Sequence, residues 1–564
     1  MTHRFSPRTA VALAVAAALA NATLALPARA DGGLDNIRPT PQRAAPAASP
    51  ATDQFIVGIQ GGPGIGSEAA ATSEAARMAA GRVGIAAQKV KGTSAGAQVV
   101  KTSRPLPGAE AEAFLTALRS APGVAYAEPD IIMHPAAEAP NDPGYPAQWN
   151  LWDDAAGIRL PGAWDVNRGE GTVVAVVDTG ITSHSELNPR VLPGYDMIVD
   201  AANARDGDGR DANPQDEGDW FAGELCGIGG ESGTSSWHGT HVAGTIAAVA
   251  NNNDGVAGVA PEARLLPVRA LGACGGYESD VADSIIWAAG GQVAGLPVNP
   301  NPARVINLSV GGDGPCSVTL QNAINLAHKA GAAVVVAAGN SNRPASGMSP
   351  ANCKKVITVA ASGRTGARAS YSNYGDDVDV TAPGGDITSQ FTEGILSTSN
   401  FGATTPGLEA YAFMQGTSMA APHVSGIAAL LMSEVGSSYT PEMVEKRLEA
   451  TARPLAVDCP EGCGHGLVDA AEALDLSNDD LPAGVVLPKA VKFTDKDGTR
   501  KDTFTVPSSR GVEYVRDGAA VKAGEYPGSG TVTVSARALP KYSLAAGATT
   551  EWVYTFSPDS APAG

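Results

Sequence analysis

Two histidines stand three residues apart in the stretch SSWHGTHVAG, residues 235–244. His238 and His241 are two of only eight histidines in the chain of 564 residues. Paired imidazoles can bind a metal, or one can act as a general base while the other packs in the interior. Their partners elsewhere in the chain decide between these possibilities.

Two further segments supply an aspartate and a serine. The apolar run VVAVVDTG ends at Asp178, and QGTSMAAPHVSG places Ser418 at the start of a small-residue helix, where Pro422 fits if it lies in the first turn. Taken alone, Asp178 is explained equally well as a cap at the end of a strand, and a serine in the position of Ser418 is most often the N-cap of a helix. With His238 they form a constellation for nucleophilic catalysis, because a serine hydroxyl needs an adjacent base and that base needs an orienting carboxylate.

Other functions have weaker support in the sequence. A metalloprotease would need a ligand motif such as H-E-x-x-H, which the sequence lacks. One G-x-S-x-G motif occurs at residues 92–96, but a strand-like run follows it instead of the helix that an α/β-hydrolase requires. A catalytically inactive, calcium-stabilised binding protein is the alternative from a different class.

The three segments resemble the three signatures of subtilisin-like serine proteases. They are Asp178-Thr179-Gly180, His238-Gly239-Thr240-His241 and the run GTSMAAPH from residue 416 to 423, and the likeness extends from about residue 148 to 476. The cysteines and an acidic insert resemble the secreted subtilases of Gram-negative bacteria in particular.

The resemblance implies hydrolysis of peptide bonds and assigns roles to individual residues. Ser418 is the implied nucleophile, His238 its general base and Asp178 the partner of that base, while His241 corresponds to a structural histidine. Asn340, at the end of AAGN, corresponds to the asparagine that joins the Ser418 N–H in holding the oxyanion.

Two glycine-containing segments resemble the strands that flank an extended substrate in this family. The implied substrate-binding residues are Gly275, Gly276, Ser309, Val310 and Gly311. Such strands recognise peptide through main-chain pairing, although glycines here are also compatible with ordinary turns. The floor of the specificity pocket is expected in residues 341–352.

The elements that must position these residues follow from hydrophobic patterning. Short Val/Ile-rich runs alternate with helical stretches between residues 148 and 476, which predicts an α/β fold of three layers with a mostly parallel sheet, as the resemblance also implies. A small α+β unit that resembles the family's inhibitory propeptide precedes it. From about residue 481, two-residue alternation with Asp-Gly turns predicts a small all-β domain.

The N-terminus resembles a secretory signal peptide. Arg4 and Arg8 precede an apolar run that ends at Ala28-Arg29-Ala30, and no later run is long enough for a membrane span. The predicted domains are therefore a signal peptide (1–30), a propeptide (31–137), a peptidase domain (138–477) and a C-terminal β domain (478–564), with self-cleavage within residues 134–140. The tail could bind substrate or the cell surface, assist secretion, or serve as a spacer.

Charge and composition limit the partners. The net charge is -19, and no basic face for nucleic acid is apparent. We expect a secreted monomer without stable membrane insertion, whose partners are protein or peptide substrates and its own propeptide.

An even number of cysteines in an exported chain suggests disulfides. The six are Cys226, Cys274, Cys316, Cys353, Cys459 and Cys463. Closeness in sequence favours a Cys459–Cys463 pair, and we hypothesise Cys226 with Cys274 and Cys316 with Cys353.

The acidic insert, residues 205–220, suggests calcium, which prefers six to eight oxygen ligands on a flexible loop. Its spacing departs from an EF-hand, and a solvated acidic loop is the plainer alternative. The candidate Ca²⁺ ligands are Asp208, Asp211, Asp216 and Glu217. A second site, at Glu186 and the loop of residues 249–256, matches where many members of the resembling family bind structural calcium.

Overall fold

The structure, a computed structural model of the chain, describes residues 26–27, 52–59, 67–93, 97–106, 108–130, 139–221, 232–476, 480–495, 502–545 and 548–557. It divides into two compact units, one of residues 35–138 and one of residues 139–564 together with 1–34. Within the described part of the chain, we find no helix with the length and apolar character of a bilayer span.

The smaller unit is an α+β sandwich. Its elements, after the two-residue strand β1 (Leu26–Pro27) of the larger unit, are β2 (Thr52–Ile59), α1 (Ser67–Arg82), β3 (Ala87–Gly92), β4 (Gln98–Leu106), α2 (Gly108–Arg119) and β5 (Val124–Pro129). The strands form an antiparallel sheet in the order β3-β4-β2-β5. Phe55 from the sheet and Phe114 from α2 pack edge to face in its core, with ring centroids 4.8 Å apart.

The G-x-S-x-G motif lies in this unit. Gly92 ends β3 and Gln98 begins the antiparallel β4, whereas residues 94–96 lie outside the described residues. A connection between two antiparallel strands is not the strand-to-helix turn of a nucleophile elbow.

The larger unit is built around a seven-stranded sheet. The strands of its peptidase part are β6 (Val173–Asp178), β7 (Tyr195–Asp196), β8 (Arg264–Arg269), β9 (Val305–Leu308), β10 (Gly312–Asp313), β11 (Ala333–Ala337), β12 (Met348–Ser349), β13 (Ile357–Ser362), β14 (Val380–Pro383), β15 (Ile395–Asn400) and β16 (Glu409–Met414). The sheet order is β14-β13-β11-β9-β6-β8-β7, and every adjacent pair is parallel.

Helices cover both faces of this sheet. They are α3 (Trp149–Trp152), α4 (Leu160–Trp164), α5 (Ala201–Ala204), α6 (His238–Ala247), α7 (Glu278–Ala288), α8 (Val318–Lys329), α9 (Thr417–Val435), α10 (Pro441–Thr451) and α11 (Ala470–Leu474). Successive residues of β6 point to opposite faces, so Val174 and Val176 join the core with α6 and α9, whereas Ala175 and Val177 join the core with α7 and α8. The predicted three-layer α/β fold is confirmed.

The C-terminal part is all-β, as predicted. Its strands are β17 (Val485–Val486), β18 (Lys492–Thr494), β19 (Thr503–Val506), β20 (Val512–Arg516), β21 (Ala519–Val521), β22 (Gly524–Pro527), β23 (Thr531–Ala538), β24 (Ser543–Leu544) and β25 (Glu551–Thr555). Trp552 and Tyr554 on the last strand, and Phe556 just after it, alternate in sequence and pack into one apolar core with Phe504. The period of two in the sequence reflects this one-sided burial.

Candidate active site

Asp178 and His238 meet at the carboxyl edge of the sheet. Asp178 is the last residue of β6 and is fully buried, while His238 begins α6. His238 Nδ1 lies 2.7 Å from Asp178 Oδ1, which also accepts a hydrogen bond from Thr179 N at 2.8 Å. A carboxylate can only accept, so Nδ1 carries a proton and Nε2 of the neutral ring is left free to accept one.

Charges around His238 favour its protonated form. Burial by itself lowers the pKa of this imidazole, but the charge and the hydrogen bond of Asp178, with the charges of Asp219 and Asp216, outweigh burial and raise the pKa above its usual value. The site can therefore stabilise an imidazolium that forms during a reaction.

Ser418 is the second residue of α9 and is half-buried. Among the described residues, its Oγ donates to the carbonyl of Ser309 at 3.2 Å and not to His238. Catalytic hydrogen bonds are often long or differently aligned before substrate binds, so this rotamer does not exclude a later contact with Nε2 of His238.

Helix α9 contains a proline, Pro422, beyond its first turn. The helix starts at Thr417, so Pro422 is its sixth residue and not part of its first turn. Because Pro422 has no N–H, the Ser418 carbonyl loses its helical partner, and the Ser309 hydroxyl donates to it instead at 2.8 Å. Asn307 Nδ2 in turn donates to the Ser309 hydroxyl at 2.9 Å, which fixes the start of α9 against β9.

Asn340 and the Ser418 N–H face a common space. The Asn340 Oδ1 accepts from the backbone N and from the hydroxyl of Thr417, each at 2.8 Å. The Nδ2 of Asn340 has no acceptor among the described residues and can donate to a bound group. A Cβ on Gly416 would stand 3.5 Å from Asn340 Nδ2 and 3.6 Å from Ser418 N. The space between these two donors stays open because residue 416 is glycine, whose φ of +151° also disfavours other residues.

His241 lies in a different environment from His238. Its ring is fully buried, and Nε2 lies 3.0 Å from the carbonyl of Ile395 and 3.1 Å from that of Ala412, both in the β15–β16 hairpin. Burial is the main cause that lowers its pKa to about 3. His241 is a neutral donor that joins α6 to this hairpin, which agrees with the structural role that the resemblance implied.

Comparison with known protein families agrees with this geometry. Residues 169–475 match the model of the subtilase family, Peptidase_S8. The chain is a subtilase. The family consists of serine proteases, so this chain is a subtilisin-like serine protease by descent as well as by arrangement of residues.

Close relatives cover most of this subtilase. It is 48% identical over 466 residues to the extracellular protease of Xanthomonas campestris pv. campestris, a match that spans 81% of this chain and 77% of that one. It is 45% identical over 400 residues to the extracellular basic protease of Dichelobacter nodosus, over 70% and 65% of the two chains. A solved protease structure from Pseudoalteromonas arctica is 53% identical, with a TM-score of 0.58, and the match covers 60% of this subtilase and 98% of that chain.

Of the two predicted substrate segments, the one after β9 contacts the site, because the Ser309 carbonyl accepts from Ser418 Oγ. Gly275, in a left-handed conformation, has its carbonyl bonded by Asn203 Nδ2 at 2.8 Å, and Gly276 passes so close to the carbonyl of Ala270 that no side chain fits there. Ser309 and the buried Val310 continue from the end of β9.

Met348 lies within residues 341–352, where the floor of the specificity pocket is expected, but no feature of the sequence singles it out. A Cβ on Gly311 would lie 3.1 Å from the Met348 sulfur, and one on Gly339 would lie 2.8 Å from its terminal methyl. The Met348 side chain therefore fills the space between the segment that follows β9 and the one that follows β11. No sequence motif marks it, because Gly311 and Gly339 are far from it in the chain and only the tertiary structure brings them into contact.

The acidic insert is only partly assembled around a common point. Within the described part of the chain, no three of the carboxylates of Asp208, Asp211, Asp216 and Glu217 lie within 4.8 Å of one another. Asp216 is buried, and its two oxygens accept from Thr179 Oγ1 at 2.6 Å and Gly218 N at 2.8 Å. Asp208 is exposed. These residues stay candidate ligands, and Asp216 has an evident second role.

Two disulfides are formed within the described residues. Cys316 is bonded to Cys353 and Cys459 to Cys463. Cys274 is also disulfide-bonded, and Cys226, its hypothesised partner, lies outside the described residues.

Proposed function

We propose that this subtilase is a secreted serine endopeptidase that cleaves proteins through an acyl-enzyme on Ser418. The observation that supports this most strongly is the 2.7 Å contact between His238 and a fully buried Asp178, beside a helix start that carries Ser418. A partly exposed imidazole held by a buried carboxylate, with a serine at a helix start beside an asparagine amide, supplies the groups that nucleophilic catalysis needs.

The reaction follows from the positions of these groups. Ser418 Oγ attacks the carbonyl carbon of the substrate and gives its proton to Nε2 of His238, while Asp178 stabilises the imidazolium. The carbonyl oxygen, now negative, is bound by Asn340 Nδ2 and Ser418 N. Nε2 then gives the proton to the leaving amine, the peptide bond breaks, and water releases the acyl group by the same steps in reverse order.

Export and maturation are part of the proposal. Relatives from Xanthomonas and Dichelobacter are named as extracellular proteases, and the first 30 residues have the pattern of a signal peptide. The small α+β unit would act as an inhibitory propeptide that the enzyme removes by cutting within residues 134–140, of which 134–138 lie outside the described residues.

Calcium is proposed as a structural ion. At Glu186, a fully buried carboxylate contacts Asn252 Nδ2 at 3.3 Å and the Tyr411 hydroxyl at 3.4 Å. Burial is the main cause that raises its pKa to about 8, and the charges of Asp254 and Asp142 add to the rise. Among the described residues Glu186 has no ion pair, so Ca²⁺ bound to this carboxylate would offset the burial of its charge.

Two candidate calcium sites therefore stand, the Glu186 loop and the acidic insert with Asp208, Asp211 and Glu217. Both predict that chelation lowers heat stability and increases autolysis. Unchanged thermal unfolding in a chelator would refute the structural calcium.

Active-site labelling tests the enzymatic proposal. A serine-directed phosphonylating reagent should modify Ser418 stoichiometrically and stop hydrolysis of a protein substrate, whereas Ser418→Ala should take up no label and should accumulate as uncut precursor. A folded wild-type protein that takes up no label at Ser418 would instead be the inactive binding protein. Normal maturation of Ser418→Ala in a protease-free host would refute autoprocessing alone.

A further inference from the structure

The residue after Asp178 and the residue after His238 are joined by a hydrogen bond, and a buried carboxylate orients the hydroxyl that accepts it. The Thr179 hydroxyl accepts a hydrogen bond from Gly239 N at 3.0 Å and donates to Asp216 Oδ2 at 2.6 Å. A hydroxyl has a single proton, so it can accept from Gly239 N only while another group takes that proton. Asp216 is the group that does so, and it is almost completely buried.

A second carboxylate holds the chain just before His238. Asp219 Oδ1 accepts from Ser236 N at 2.6 Å and Oδ2 accepts from Ser236 Oγ at 2.7 Å. The Ser236 Oγ then accepts from His238 N at 3.3 Å. As in the first set of contacts, the hydroxyl is free to accept because a carboxylate has taken its proton.

The backbone near His238 needs such support. His238 is the first residue of α6, so its N–H has no partner within the helix. Trp237 before it has a φ of 54°, which an aromatic residue adopts only when its surroundings enforce it. Phe221 and Gly233, which flank residues 222–232, pair through two backbone hydrogen bonds of 3.1 and 2.9 Å. These bonds also hold the chain shortly before His238.

Glycine at residue 218 allows the two carboxylates to approach together. Its φ is +96°, and an added Cβ would collide with the Thr404 carbonyl and the Ser235 hydroxyl. The turn at Gly218 is closed by Asp216 Oδ1, which accepts from Gly218 N at 2.8 Å. Asp216 and Asp219 are therefore oriented by the same short turn toward the two ends of the Asp178–His238 pair.

We propose that Asp216 and Asp219 are positioning residues of the active site, which fix Asp178 and His238 relative to each other through the hydroxyls of Thr179 and Ser236. This proposal rests on the proposed function of Ser418 and His238. The C-terminal end of the acidic insert then positions catalytic residues, a role that is separate from calcium binding.

The charged groups that face His238 are Asp178 at the end of β6, Asp216 and Asp219 on the turn, and His241 on its own helix. Beyond them, Arg269 on β8 acts on Asp216. Ionised carboxylates favour the protonated imidazole, and neutral His241 contributes no charge at ordinary pH. Burial raises the pKa of Asp216 to about 7, so its charge contributes fully only above that pH. Removing the Asp219 charge should therefore make His238 easier to deprotonate.

A matched pair at Thr179 tests the hydroxyl contact. Thr179→Val keeps the shape of the side chain and removes the hydroxyl, while Thr179→Ser restores the hydroxyl alone. We expect Thr179→Val to lower kcat by about tenfold to a hundredfold with little change in KM, because small displacements of catalytic groups have effects of this size. Thr179→Ser should regain most of this loss. Equal activity of the two variants, whether high or low, would overturn the role of Asp216.

Asp219→Asn tests the second carboxylate, with Asp376→Asn, an exposed aspartate on the turn before β14, as a control of equal charge. The acid limb of kcat/KM should move about half a unit to lower pH in Asp219→Asn, together with a lower kcat, and should not move in the control. An acid limb and a kcat equal to those of the control would overturn the role of Asp219.

Active-site titration with the phosphonylating reagent keeps these results interpretable. Rates are divided by the concentration of sites that take up label, so a variant that folds poorly loses sites and not kcat per site. If the wild-type protein takes up no label, the proposed function itself has failed. If it is labelled and the variants behave like their controls, only the positioning role has failed.

Discussion

The buried histidine His241 leads to a prediction about acid stability. We consider His241→Gln in a Ser418→Ala background, which prevents autolysis. Glutamine places an amide N–H where the Nε2–H of His241 donates to the carbonyls of Ile395 and Ala412, 3.0 and 3.1 Å away. The substitution keeps a donor for these carbonyls and removes a group that titrates.

The magnitude follows from proton linkage. Burial holds the pKa of His241 at about 3 in the native protein, against 6.5 for a solvent-exposed imidazole. Between these values the unfolded chain binds a proton that the native protein does not, so the free energy of unfolding falls as pH drops. Each pKa unit corresponds to about 1.36 kcal/mol, so at pH about 5 this histidine alone lowers stability by about 2 kcal/mol relative to neutral pH.

Urea unfolding at a series of pH values from about 7 down to about 5 measures this effect, since proton linkage acts across that interval. His241→Gln should lose about 2 kcal/mol less than its parent over this range. His465→Gln serves as the control, because it removes an exposed histidine without altering the core. The stability of this control should follow pH more like that of the parent than like that of His241→Gln.

An identical pH dependence in His241→Gln and the parent would refute the inference that a neutral His241 is buried in the native state. A second outcome would be more serious. If His238→Ala and His241→Ala in the active background each abolished turnover in a zinc-dependent way while both proteins stayed folded, the two histidines would be metal ligands.

Three other substitutions probe the site and its support. Asn340→Ala should lower kcat about a hundredfold to a thousandfold with KM little changed; Asn340→Asp, which still accepts from Thr417, should show no recovery in the same kinetics, and recovery would argue against the amide as donor. Met348→Ala should extend cleavage in a peptide library toward larger side chains before the scissile bond, and an unchanged profile would remove Met348 from the pocket. Arg269→Met should lower the free energy of unfolding in urea by about 3–5 kcal/mol, because it removes the cation whose Nη1 lies 2.5 Å from Oδ2 of the buried Asp196. A loss below about 1 kcal/mol would contradict this.

The sequence by itself determined the class of fold and identified the candidate residues of the site. Three short segments carry their chemistry in adjacent residues, so Asp178, His238 and Ser418 are recognisable without coordinates. The alternation of apolar runs with helical stretches likewise predicts a covered parallel sheet, since both periods are local properties of the chain.

The tertiary structure decided what these residues contact. The Ser309 hydroxyl replaces the hydrogen bond that Pro422 cannot make, and this pairing joins residues far apart in sequence. The acidic insert shows the same limit of sequence reasoning: its carboxylates suggested an ion, but Asp216 and Asp219 accept from Thr179 and Ser236. Composition determines which groups can bind a cation or a hydroxyl, whereas only the folded chain determines which of the two is within hydrogen-bonding distance.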